Sequence, residues 1–172
     1  MDSVFDAVRT MVAVREYSQK PVANDVVTRI VEAAHLTASS MNKQPRHFVV
    51  VRDRARLQEL GRLAKTGSYV SGAAFAVIVA AEKDSQYAVS DVSRAVQSMM
   101  LTAWAEAVGS NWAGFGGLQS VANLVGIPDE YEVIALVPFG YPKHPASAGR
   151  KNRKPLGEIA SAENFGKPFS QA

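Results

Sequence analysis

The chain contains no cysteine. No disulfide framework can staple it, and no thiolate is present to act as nucleophile, metal ligand or redox partner. Histidine is also scarce. His35, His47 and His144 are scattered, and no His-x-x-x-His pair suggests a metal site. The longest apolar run, Ala73 to Ala81, is too short to span a bilayer as a helix. The first residues, Met1-Asp2-Ser3-Val4-Phe5-Asp6, are acidic and lack the apolar core of a secretory signal. A soluble cytoplasmic protein with no membrane partner is the default expectation. Internal repeats are absent, as is any linker that would divide the chain, so residues 1–172 are read as one domain.

What remains is the composition of a folded protein. Hydrophobic residues make up 47% of the 172 positions and charged ones 20%, enough for a real core. The net charge of +3 is uneven: Lys143, Arg150, Lys151, Arg153 and Lys154 crowd one stretch. Such a cluster suits a phosphate-bearing partner or a solvated tail. Nucleic acid is not expected, because no base-stacking aromatics are interleaved between Lys143 and Lys154.

The periodicities place the elements. Asp2 to Val12 reads as a helix, with Val4, Val8 and Val12 at helical spacing. Asn24 to Ala38 is the clearest helix: Asn24 can cap it, and Val27, Ile30, Val31 and Ala34 follow the i, i+3, i+4, i+7 pattern. Phe48–Val51 is a short β-branched strand. Asp53 to Lys65 is an amphipathic helix ended near Gly67. Phe75 to Ala81 is apolar without alternation, the mark of a central strand covered on both faces. Ser90 to Val108 reads as a long helix that is apolar on nearly every side, and such a helix must lie in a core or an interface. An obligate dimer would supply the second surface. Leu118–Val125 is a further helix, stopped by Gly126 and Pro128, and Glu132–Phe139 a further strand. Residues 143–172 form an extended arm. The expected fold class is α+β, with a mostly antiparallel central sheet flanked by helices. A Rossmann arrangement is excluded, because Gly114-x-Gly116-Gly117 lacks the spacing and no βαβ unit precedes it.

One stretch concentrates hydrogen-bonding groups between the clearest helix and the first strand. In Ser39-Ser40-Met41-Asn42-Lys43-Gln44-Pro45, Ser39, Ser40, Asn42 and Gln44 offer both donors and acceptors, and Pro45 bars a helix. A planar heterocycle with a mixed donor and acceptor edge could use such a set.

The pattern Ser-Ser-x-Asn-x-Gln-Pro before a strand-opening Phe resembles the signature loop of the FMN-dependent nitroreductase family. Further matches follow in the family's order: Asp91-x-x-x-Ala95-x-Gln97, Gly126-Ile127-Pro128, Gly140-Tyr141-Pro142 and Arg153-Lys154-Pro155-Leu156. Together they cover most of the chain. The resemblance implies an intertwined homodimer with FMN at its interface. It implies ping-pong transfer of electrons from NAD(P)H to a nitroaromatic, quinone or activated alkene. Ser39, Ser40, Asn42 and Gln44 would then line the flavin. The backbone of Gly114 and Phe115 would face its N5, with no side chain acting catalytically. Arg15 and Lys65 would set positive charge near N1 and the C2 carbonyl. Lys151 and Arg153 would reach the phosphate. The chain departs from the family at Ala38, Arg46 and above all Met11, Val12 and Ala13, where members carry Arg-x-Ser. That departure keeps a second expectation open, a flavin-sequestering protein without activity.

Overall fold

The computed structural model describes residues 4–113, 118–145 and 151–169. Helix α1 is Val4–Thr10 and α2 is Asn24–Leu36. Strand β1 (Arg46–Val51) follows the polar loop, then α3 (Arg54–Leu63), β2 (Phe75–Glu82) and α4 (Ala88–Ala105). Next come β3 (Gly109–Ser110), α5 (Gln119–Val125), β4 (Tyr131–Gly140) and α6 (Leu156–Ile159). The sheet order is β1-β2-β4-β3, and every pairing is antiparallel.

The unbroken apolar run of β2 has a direct cause. Successive side chains of a strand point to opposite faces, and here both faces are covered. Phe75, Val77, Val79 and Ala81 pack with Ile30 of α2 and with Val92, Val96 and Met99 of α4. Ala76 and Ile78 pack with Leu57 and Leu60 of α3 and Val121 of α5. Phe75 also stacks on its cross-strand partner Phe139, ring centroids 4.8 Å apart. The sheet is thus a middle layer between two pairs of helices.

Several local expectations need adjustment. Asn24 does not cap α2. The cap position is Ala23, and the Asn24 amide oxygen accepts from Arg52 instead. α4 begins at Ala88 and ends at Ala105, displaced toward the N-terminus from the expected Ser90–Val108. Ala107 adopts a left-handed φ of 59°, and Val108 N–H turns back to the Ala103 carbonyl (2.8 Å). Within one chain α4 buries a single face, Val92, Ala95, Val96, Met99 and Ala103. Met100, Leu101 and Trp104 are only half-buried, and Val89 is exposed. α1 likewise buries only Ala7 and leaves Val4, Phe5 and Val8 exposed. Among the described residues no helix is long and apolar enough to cross a membrane.

Candidate functional site

Arg15 sits on an irregular edge segment laid beside β3. Ala13 bridges Ser110, and Val14 N–H donates to the Ser110 carbonyl (3.0 Å). Glycine is required opposite: a Cβ on Gly109 would lie 2.5 Å from the Val14 side chain. Tyr17 pins the other side, its hydroxyl donating to the Val14 carbonyl (2.7 Å) while its backbone bridges Pro142. Burial pushes the Tyr17 phenol well above its ordinary range, so it stays a neutral donor. Held this way, Arg15 places its guanidinium 5.9 Å from the centre of the Tyr69 ring. The Tyr69 hydroxyl in turn accepts from the amide of Asn111, a buried polar side chain.

Tyr69 belongs to a 3-10 turn, Ser68–Gly72, that follows Gly67. A Cβ on Gly67 would lie 3.1 Å from that of Ala113, so the turn and the segment after β3 are in close contact. The fold therefore gathers Arg15, Tyr69, Asn111 and Ala113 at one end of the sheet. Lys65 lies exposed in the turn just before Gly67. Gly114 and Phe115 lie outside the described residues.

The basic arm returns to the same end. Lys151 Nζ donates to the Val8 carbonyl (2.5 Å) in the last turn of α1. This is a natural seat for a cation, since carbonyls there lack helical partners and carry partial negative charge. It puts Lys151 beside the segment where Met11, Val12 and Ala13 supply no charge or hydroxyl. Arg153 is exposed, and among the described residues its guanidinium donates only to the neighbouring Asn152 carbonyl (3.0 Å). Arg9, the cation of α1 itself, is paired with Asp6 at 3.1 Å. An open cavity of about 260 Å³ is lined by Val12–Glu16, Pro142 and His144. It shares Pro142 and His144 with a mostly apolar one of about 500 Å³, walled by Thr10, Trp104 and Tyr141.

The Ser39–Gln44 loop lies elsewhere. Its N-terminal end rests on α4: Ser40 N–H donates to both carboxylate oxygens of Asp91 (3.1 Å each), and Ser40 Oγ donates to Oδ1 (3.0 Å). Asp91 is fully buried and also pairs with Arg94. Burial works against its charge. The Ser40 N–H and hydroxyl and the Arg94 guanidinium outweigh it and hold the carboxyl below the usual range. Met41, Asn42 and Gln44 all have left-handed φ near 52°, a region that asparagine tolerates but that costs residues such as Met and Gln roughly 1–2 kcal/mol each. Ser39 Oγ accepts from Gln44 N–H (2.9 Å), and the Gln44 amide reaches Asn42 Oδ1 (3.2 Å). Arg46, where the family carries Trp, donates to the Ala34, Thr37 and Ala38 carbonyls and so closes the C-terminal end of α2.

The expected site residues thus fall into two groups. The loop enters β1 at Arg46, opposite Ala81 of β2, whereas Arg15 lies near Gly140 and the Phe75 end. Asp91 holds Ser40 at the start of α4, and Trp104 holds Thr10 near its end through an indole hydrogen bond (2.9 Å). At the helical rise those points are about 20 Å apart. Tyr69, Asn111 and Arg94 carry no mark in the sequence, and Asp91 enters it only as the first residue of the Asp91-x-x-x-Ala95-x-Gln97 match, not as a partner of Ser40. Only Asp91 carried a signal, as a lone acid on an otherwise apolar helix face.

The model of the nitroreductase family matches residues 8–70 and 62–141. A protein of Archaeoglobus fulgidus described as a "Putative NADH dehydrogenase/NAD(P)H nitroreductase" is 32% identical over 152 residues, covering 83% of this chain and 87% of that one. A Methanothermobacter thermautotrophicus protein of the same description is 30% identical, covering 81% and 77%. The solved structure of an FMN-dependent nitroreductase from Clostridium difficile R20291 superimposes with a TM-score of 0.87 over 94% of this chain and 99% of that one. At 21% identity that likeness speaks for the fold. With the family model spanning most of the chain and two relatives at 30% identity or more, this chain belongs to the nitroreductase family.

Proposed function

We propose that the chain is an FMN-dependent oxidoreductase, one nitroreductase-like domain over 1–172, working as an intertwined homodimer. When bound, FMN would supply the redox chemistry, accepting electrons from NAD(P)H and passing them in ping-pong order to a nitroaromatic, quinone or activated alkene.

The residues present fit such a group. The observation that carries the reading is the convergence at one end of the sheet of Arg15, the Gly67–Tyr69 turn, Asn111–Ala113 and the Lys151 arm. This end offers cations for an anionic tail and for the electron-rich edge of a flat ring, beside a close-packed glycine turn. Arg15 contributes a fixed positive charge that needs no reorganisation when negative charge develops nearby. Lys151 and Arg153 bind the phosphate. Lys65 would be the second cation for the N1 and C2 edge; Gly114 and Phe115, proposed for N5, lie outside the described residues.

The loop group requires a second copy. Ser39, Asn42 and Gln44 stand about 20 Å along α4 from the Arg15 end, so a two-fold partner is the economical way to bring them to the same flavin. In this arrangement Asn42 and Gln44 supply the polar contacts and Ser40 holds the loop. Two further features favour assembly. None of the described arm residues 151–169 is buried, and Leu156, Ile159, Phe165 and Phe169 are exposed apolar groups. α1 and the outer face of α4 add Val4, Phe5, Val8 and Val89.

Purified protein should carry a flavin absorption spectrum and oxidise NADH or NADPH with a quinone acceptor. Colourless protein that takes up no FMN would refute the reading. The uncharged Met11–Ala13 segment supports one rival, a flavin-sequestering protein. It would bind FMN yet show no steady-state turnover with either nicotinamide.

A further inference from the structure

We propose that Asp91 is the positioning residue of the Ser39–Gln44 loop, and so governs how the loop meets the cofactor. The inference rests on the flavin reading above. A carboxylate with no exposed surface is unfavourable unless its oxygens are bonded. Here, among the described residues, every bond it makes outside its own helix goes to Ser40: the N–H bonds at 3.1 Å and the hydroxyl bond at 3.0 Å. Arg94, one turn along α4, closes the set by pairing with Asp91 and donating to Ser40 Oγ (3.2 Å). Ser40 is thereby engaged inside the chain through its N–H and its hydroxyl as donors and through Oγ as acceptor.

The loop beyond Ser40 is bonded back to Ser40 and to its neighbour Ser39. Lys43 N–H donates to the Ser40 carbonyl (3.1 Å), Asn42 N–H to the Ser39 carbonyl (3.0 Å) and Gln44 N–H to Ser39 Oγ (2.9 Å). Met41, Asn42 and Gln44 are exposed and left-handed. Asparagine tolerates that region, but Met41 and Gln44 do not, and their conformation persists only when its surroundings over-determine it. Among the described residues Asp91, the buried member of the Asp91–Ser40–Arg94 cluster, anchors the start of the loop, and buried Pro45, whose carbonyl accepts from Glu82 N–H (2.9 Å), anchors its end. Together they leave the exposed Asn42 and Gln44 amides preset for a ligand.

The test is Asp91→Asn, with Ser40→Ala as a milder second variant. Hydrogen exchange on apo-protein should show the Asn42, Lys43 and Gln44 amides of Asp91→Asn opening at least about tenfold faster, with β2 amides unchanged. FMN titration well below the melting temperature should show a dissociation constant raised about tenfold or more. Ser40→Ala should move both readouts the same way by less, and it decides the matter if Asp91→Asn does not fold. Unchanged loop exchange overturns the proposal. So does a lowered melting temperature with unchanged FMN affinity, which would make Asp91 a stabiliser of α4 only. Wild-type protein that takes up no FMN refutes the flavin reading instead, and exchange then decides the positioning by itself.

Discussion

Replacing Arg153 with alanine should weaken FMN far more than riboflavin. The two ligands share the ring and differ in the terminal phosphate. The family pattern would meet that phosphate from the end of the first helix and from the C-terminal arm. Here the helix end presents Met11, Val12 and Ala13, while Arg9 is engaged with Asp6 at 3.1 Å. Lys151 lies against the Val8 carbonyl at 2.5 Å, so it holds the arm in place and lends charge at once. Arg153 is exposed and donates only to the adjacent Asn152 carbonyl among the described residues. Its planar fork can turn to a phosphate with two parallel charge-assisted bonds. Losing bonds of that kind costs about 1.5–3 kcal/mol, roughly ten- to a hundredfold in affinity. Fluorescence titration of apo-protein with each flavin measures it. FMN affinity should fall by that factor and riboflavin affinity by less than about twofold, with the difference shrinking as salt is raised. Equal losses for the two flavins, or no loss for FMN, would show that the phosphate is held elsewhere. Arg15 would then be the next cation to substitute.

Three other outcomes are expected. Trp104→Glu puts a carboxylate on the half-buried outer face of α4 and removes the bond to Thr10. Light scattering should show dissociation to monomer, or the melting temperature should drop; unchanged mass and melting temperature would contradict the dimer surface assigned here. Asn42→Ala should leave the melting temperature within a degree or two and cost about 1 kcal/mol or more of flavin affinity, read by flavin retention on gel filtration. Tyr17 is held neutral by burial, so its folded pKa is raised. Its stabilising contribution is full below about pH 10, the unfolded value, and is lost as pH rises beyond it. Tyr17→Phe should therefore flatten the alkaline limb of a pH–stability curve, and an unaltered limb would contradict this.

The sequence and the structure agree most where burial imposes a simple period. β2 is apolar from Phe75 to Ala81 because both its faces are covered there, and α2 shows one stripe because one face is covered. They part where backbone geometry decides. The expected start at Ser90 is two residues late, because α4 starts at Ala88 after Tyr87, with no side-chain capping bond to announce it. Its expected end at Val108 is also late: the helix stops at Ala105 and the left-handed residue is Ala107. β3 has only Gly109 and Ser110, whose side chains carry no strand signal; its pairing is a backbone matter. The site was legible as a set of residue types and illegible as a place. Nothing in the spacing of Ser39–Gln44 and Arg15 says that they stand at opposite ends of the same helix. Nor does it say that Ser40 is engaged with Asp91, since a buried carboxylate chooses its partner through the fold.

The separation of Arg15 from the Asn42 loop has a consequence for inheritance as well as for binding. If each flavin is enclosed by the loop of one protomer and the cations of the other, a lesion in the loop and a lesion in the arm reside on different sides of every site. A protomer carrying Asn42→Ala and one carrying Arg153→Ala would each assemble with itself into a dimer with two impaired sites. Paired with each other, they would form one site bearing both lesions and one bearing neither. Two defective copies mixed or expressed together would then regain up to half of the wild-type flavin content per dimer. Damage at the two ends of α4 would behave as complementing alleles of a single gene.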